Sequence, residues 1–82
     1  MAEVTYYGAD WCTDCRRSKA FLNANSVDFV ENNVEESAEL AAKAEAIAGR
    51  KNIPVIQFKD GAFLVEPSDA DLKAALVERG LL

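Results

Sequence analysis

The chain has no histidine and only two cysteines among its 82 residues. A structural zinc site asks for four protein ligands, or three and a water, so the composition argues against metal held within one chain. Long hydrophobic runs are missing too. Half of the residues are apolar, yet no stretch approaches the ~20 needed to span a bilayer. The first ten residues, MAEVTYYGAD, carry neither a basic start nor an apolar core, so no signal peptide is read there. The expectation is a soluble, cytoplasmic protein with no membrane partner. Positive charge is scarce, with nine Lys plus Arg against fourteen Asp plus Glu and a net charge of −5. That balance argues against nucleic acid as a general partner. Repeats, low-complexity tracts and linkers are also absent, which leaves residues 1–82 as a single domain. A domain this small hides roughly 60–65% of the surface its unfolded chain exposes, so its margin of stability is thin.

What is present divides into seven elements. Residues 3–7, EVTYY, are strand formers that end at Gly8. Residues 12–25 read as a helix with Cys15, Ser18, Phe21, Leu22 and Asn25 on one side. VDFVEN gives a second short strand. SAELAAKAEAIAG is the clearest helix: Ser37 can cap it, Leu40, Ala44, Ile47 and Ala48 form its stripe, and Gly49 ends it. PVIQF and AFLV, joined through an Asp-Gly turn, read as a hairpin. SDADLKAALVERG closes the chain as a helix capped by Ser68. The expected fold is α/β: βαβ, a second helix, then ββα, giving a mixed four-stranded sheet with three helices.

The two cysteines sit at C-x-x-C spacing in WCTDCRRSK, residues 11–19. A structural disulfide is a poor reading, because closing so short a loop gains only about 2 kcal/mol by chain-entropy arithmetic. Two core cysteines would be an unusual accident on a strand-to-helix turn. A redox pair has positive reasons. Residues i and i+3 in a first helical turn lie within disulfide range, and unpaired backbone N–H groups there stabilise a thiolate. Cys12, at the helix start, is read as the nucleophile. Cys15, on the apolar face, is the resolving thiol. Trp11, Asp14 and Arg16 are the thiolate-supporting neighbours, with Arg16 able to lean back toward Cys12. Asp14 has two opposed effects: it suits the positive helix end, and it repels a thiolate nearby unless Arg17 pairs with it. Arg16, Arg17 and Lys19 form one basic cluster, and Arg50 and Lys51 another. They read either as one basic patch or as a solvated helix face plus a helix C-terminus.

With NIPVIQF, the Asp-Gly turn and PSDADL at these separations, the chain resembles the glutaredoxins of the thioredoxin-like superfamily. It looks most like the mycoredoxin-type glutaredoxins of actinobacteria. The resemblance spans essentially the whole chain. It implies that Ile53 offers its backbone to a bound thiol beside a cis Pro54. It also implies that Arg50 meets a carboxylate of that thiol and that Ser68 and Asp69 hold its other end. Ser68 reads equally as an ordinary helix cap. Three positions depart from the common glutaredoxin pattern: Ala9 replaces a lysine, Glu66-Pro67 replaces Gly-Gly, and Thr13-Asp14 replaces Pro-Tyr.

The leading expectation is therefore an enzyme, a thiol–disulfide oxidoreductase that reduces protein disulfides or mixed disulfides with a low-molecular-weight thiol. Mycothiol or glutathione is the implied co-substrate, disulfide-bearing proteins are the partners, no cofactor is tightly bound, and the protein is a monomer. One alternative is an electron donor to ribonucleotide reductase, although LVEPSD stands where such redoxins carry an aromatic, arginine-containing motif. Another is an iron–sulfur cluster carrier using Cys12 and external thiols.

Overall fold

Val4, Thr5, Tyr6 and Tyr7 are β-branched or aromatic, and they build the strand around which the other elements pack. The computed structural model describes residues 3–82. Its elements are β1 (Val4–Gly8), α1 (Thr13–Ala24), β2 (Phe29–Asn33), α2 (Ala38–Ala48), β3 (Val55–Phe58), β4 (Phe63–Val65) and α3 (Asp69–Glu78). The strands lie in the order β2-β1-β3-β4. β1 is parallel to β2 and antiparallel to β3, and β3 pairs with β4 as an antiparallel hairpin. The expected mixed four-stranded sheet with three helices is what forms.

Alternation along β1 divides the interior in two. Val4 and Tyr6 face Leu22 of α1 and Leu72 and Leu76 of α3. Tyr7 faces the other way, onto Ala44 of α2 and Val55 of β3. Helices on both faces leave four of the five β1 residues buried, rather than every second one. Leu22, Leu72 and Leu76 are fully buried, each worth about 1.5–3 kcal/mol of apolar transfer.

Boundaries moved where backbone chemistry requires it. β1 runs one residue later than expected, to Gly8. β3 begins at Val55 because Pro54 has no N–H to give to a ladder. Asn25 is not on the buried face of α1. It ends the helix, and its side-chain amide donates to the Phe21 carbonyl at 2.9 Å. Ser37 and Ser68 cap α2 and α3 as expected, accepting the N–H groups of Leu40 and Asp71 at 3.4 and 3.1 Å. Gly49 ends α2 in the left-handed region, with φ 77. Among the described residues, no helix is long and apolar enough to cross a membrane.

Ser18 is the one buried polar side chain of α1, and its hydroxyl has no hydrogen-bond partner among the described residues. A buried hydroxyl without a partner costs about 1–3 kcal/mol. Ser18→Ala should therefore stabilise the fold by roughly 1 kcal/mol, a rise in Tm of about 4–8 °C for a domain of this size. Thermal unfolding followed by circular dichroism checks this, and a lower Tm would refute it.

Candidate active site

The turn from β1 into α1 brings the cysteines to the C-terminal edge of the central strand. The Cys12 N–H donates to the Ala9 carbonyl at 3.2 Å, and the Cys12 carbonyl accepts the Arg16 N–H at 3.0 Å. Cys12 itself has extended backbone angles and is the N-cap of α1. Its sulfur accepts the Cys15 N–H at 3.2 Å, so a cysteine does here what serines do for α2 and α3. The N–H that closes this cap points at the sulfur, and such a bond is stronger to a thiolate than to a thiol. Both cysteines are free thiols, Cys12 half-buried and Cys15 fully buried.

Cys15 lies between α1 and the sheet. Burial, then its hydrogen bond with Cys12, pushes its thiol up to about 12, with the Ala9 backbone opposing. The Tyr6 hydroxyl donates to the Cys15 carbonyl at 3.3 Å, and burial likewise raises its phenol. Gly8 is required here by close approach rather than by a turn. A Cβ at position 8 would lie 2.3 Å from the Tyr6 hydroxyl and 3.1 Å from the Cys15 sulfur.

On the opposite side, the Cys12 thiol points at the Ile53 carbonyl across 3.9 Å. The Ile53–Pro54 peptide bond is cis. The segment is stapled from β4's end: the Glu66 N–H donates to the Pro54 carbonyl at 2.9 Å, and the Asn52 amide donates to the Glu66 carboxylate at 2.8 Å. Glu66 holds a left-handed backbone, φ 50, at one of the two positions where the common glutaredoxin pattern has glycine.

The charged residues are arranged differently from a simple ring around the thiol. Asp14 turns to Arg17, 3.2 Å away, instead of to either sulfur. The same guanidinium reaches Asp69 at 3.8 Å and donates to the Pro67 carbonyl at 3.2 Å. Arg17 thus ties the thiol helix to the start of α3, where Ser68 is engaged as a cap. Arg16 is exposed, and its side chain makes no hydrogen bond or ion pair among the described residues. Trp11 is 68% exposed beside Cys12, and its indole N–H donates to the Glu35 carboxylate. Arg50 and Lys51 flank Ile53 on the rim of a groove of about 440 Å³ whose floor is the alanine face of α2.

Cys12, Ile53 and Pro54 are thus brought together, and Ile53 also lines the groove together with Arg50. Asp69, next to the cap residue Ser68, connects to the thiol helix through Arg17. Sequence reasoning weighed Arg17 as a screen for Asp14 and as part of a basic cluster, not as a link to Asp69, because that link depends on α1 lying beside α3. Nothing in the sequence signals the Glu35 contact, since that acid sits in a loop outside any motif, and the departure noted at Glu66 did not name Asn52 as its partner.

The glutaredoxin family profile matches residues 4–63. A protein of Mycobacterium tuberculosis named as a glutaredoxin is 33% identical over 78 residues, 94% of this chain and 93% of its own. Mycoredoxin 1 of Corynebacterium glutamicum is 28% identical over 76 residues, 93% of this chain and 95% of its own. The crystal structure of a glutaredoxin from Archaeoglobus fulgidus superimposes with a TM-score of 0.81 at 28% identity, covering 90% of this chain and 85% of that one. The chain belongs to the glutaredoxin family. Its fold is thioredoxin-like, and glutaredoxin membership implies thiol–disulfide chemistry at the Cys12–Cys15 pair with a thiol as co-substrate.

The raised Cys15 thiol has a consequence for stability. Below about pH 9, the ordinary value of 9.0, both folded and unfolded chains keep this proton. Between there and about 12 the unfolded chain loses it and the folded glutaredoxin does not, so stability falls as pH rises through that window. Denaturant unfolding of the reduced protein from pH 8 to 11 should show this fall. Cys15→Ala should reduce the fall, leaving the parts due to Tyr6 and Lys19, which run in the same direction.

Proposed function

We propose that this glutaredoxin reduces mixed disulfides between proteins and a low-molecular-weight thiol, and disulfides within proteins. The observation that carries the reading is the cap bond of the thiol pair. A half-buried sulfur receives a backbone N–H at the helix start, and a second, fully buried sulfur stands behind it. The Cys12 thiolate attacks one sulfur of the target disulfide, a Cys12 mixed disulfide forms, and the other sulfur leaves as a thiolate. In that intermediate Cys12 is neutral and no longer opposes ionisation of Cys15. The Cys15 proton then passes to the leaving thiolate, and the Cys15 sulfur attacks Cys12. A Cys12–Cys15 disulfide forms, the second thiol is released, and two electrons have moved from the pair to the target. An external thiol can instead attack the mixed disulfide and release Cys12 directly.

The small-thiol site proposed here joins the Ile53 backbone to Arg50, with Ser68 and Asp69 on the far side. Similarity to mycoredoxin 1 supports mycothiol as the thiol, as do the departures at Ala9 and Glu66-Pro67 from the glutathione-binding pattern. The deciding experiment is turnover of mycothiol and glutathione mixed disulfides side by side, with mycothiol expected to give the higher kcat/KM. Equal or better use of glutathione would overturn that choice and leave the exchange chemistry standing.

Two variants test the residues. Cys12→Ser should abolish all disulfide exchange, whereas Cys15→Ser should keep turnover of small-thiol mixed disulfides and lose reduction of protein disulfides. Mass spectrometry of the trapped intermediates checks both. Arg50→Ala should raise KM for an anionic thiol substrate several-fold with kcat nearly unchanged, the pattern of lost uniform binding. An unmoved KM would leave Arg50 a solvated charge beyond the end of α2.

A further inference from the structure

Trp11 is immediately next to the nucleophile, yet its polar atom is committed away from the sulfur. The indole N–H donates to Glu35, a residue of the turn after β2. That turn is itself pinned. The Val34 N–H extends the β1–β2 pairing to the Gly8 carbonyl at 3.0 Å. The Glu35 N–H donates to the Asn33 side chain at 2.8 Å, and the Glu36 N–H donates to the Asn33 carbonyl at 3.1 Å. The acceptor for the indole is therefore held by backbone bonds on the sheet edge, not by a mobile side chain alone.

The position of the ring matters because of what lies under it. Trp11, Glu35 and residues 50–53 line the groove of about 440 Å³ together with α2. From α2 the lining is mostly alanine, Ala38, Ala41 and Ala42 with Glu45 beyond them, and alanine side chains are too short to prop an indole up. An aromatic ring with no polar anchor gains free energy by settling onto such an apolar floor. Settled there it would fill the groove next to Cys12. The bond to Glu35 opposes this, because settling onto the alanine side chains would break it.

We propose that Glu35 is a positioning residue that latches Trp11 upright and keeps open the groove into which the thiol part of a mixed disulfide extends beyond its cysteine. The proposal rests on the exchange function above and assigns a role to a residue outside the C-x-x-C motif. The substrates that depend on the latch are mixed disulfides whose released thiol is several bonds longer than cysteine. A short mixed disulfide with 2-mercaptoethanol engages the sulfurs without filling the groove.

Trp11 is the only tryptophan of the chain, so its fluorescence reports the latch without any activity. Glu35→Ala should shift the emission maximum and lower the acrylamide quenching constant as the ring settles onto α2. Glu35→Gln retains an acceptor oxygen and should restore both signals. The control Glu36→Ala removes the same charge one residue on and should leave them as in the parent protein. Kinetics are read on mixed disulfides of one model peptide with a tripeptide thiol and with 2-mercaptoethanol. The kcat/KM ratio of long to short should fall roughly three- to tenfold in Glu35→Ala, mainly through KM, and recover in Glu35→Gln. Unchanged quenching in Glu35→Ala would overturn the latch. Altered quenching with an unchanged substrate ratio would overturn its role in the groove. A parent protein that turns over neither disulfide would instead sink the exchange function, while the quenching series would still decide the latch.

Discussion

Each helix of this protein ends its open first turn on a side chain that accepts the N–H three residues on, and at α1 that side chain is the reactive cysteine. The two serine caps are of fixed strength because a hydroxyl oxygen does not change charge at ordinary pH. A sulfur cap varies. A thiolate is a strong acceptor for the Cys15 N–H, a neutral thiol a weaker one, and a disulfide sulfur weaker still. The start of α1 is therefore held most firmly when Cys12 is ready to attack and loosens as the reaction proceeds. Chemistry and local fold share one hydrogen bond, 3.2 Å long.

That arrangement works only if the second sulfur is kept out of water and out of charge until it is needed. β1 supplies this by stopping at a glycine. With no Cβ at position 8, the Cys15 sulfur and the Tyr6 ring close over the strand end. Burial keeps Cys15 protonated, and the adjacent Cys12 charge reinforces it. The reinforcement disappears once Cys12 is in a mixed disulfide. In the proposed exchange, the order of the two steps is thus built into the electrostatics: attack by Cys12 removes the charge that opposes ionisation of Cys15.

The parts of this that depend on nearest neighbours were readable from the sequence. C-x-x-C at a strand-to-helix turn, serines three residues before the N–H groups they cap, and Gly49 after an alanine-rich stripe are local patterns with local causes. The four strands, three helices and their order followed from them. Contacts between distant loops were not readable. Trp11 with Glu35, Asn52 with Glu66, and Arg17 with Asp69 are separated by 24, 14 and 52 positions, the last of these from the residue numbers themselves. Each joins exposed polar residues, whose types are common everywhere in an acidic chain. Only the crossing of α1 past α3, and of the cis-Pro segment past the end of β4, selects these partners from many equivalent ones. Arg16 illustrates the converse: helical spacing allows it to lean toward Cys12, but its exposed side chain is left without a partner among the described residues.

These distant contacts also decide what charge the site presents. The protein carries a net −5, and an anionic thiol approaching at random would be repelled. Around the thiol pair, however, several carboxylates have partners. Asp14 and Asp69 share Arg17, Glu35 accepts the Trp11 indole, and Glu66 accepts the Asn52 amide. Exposed pairs of this kind add little to stability, typically under about 1 kcal/mol each. Their effect is on the field. Arg50 and Lys51 have no ion-pair partner among the described residues and stand at the groove beside Ile53. At ~0.1 M salt, charges more than about 10 Å away are largely screened, so a ligand in the groove responds mainly to the charges that line it, Arg50 and Lys51 against Glu35 and Glu45. An acidic protein can in this way offer an anionic thiol two cations at a groove whose lining carries no net charge, while most of its excess negative charge lies elsewhere.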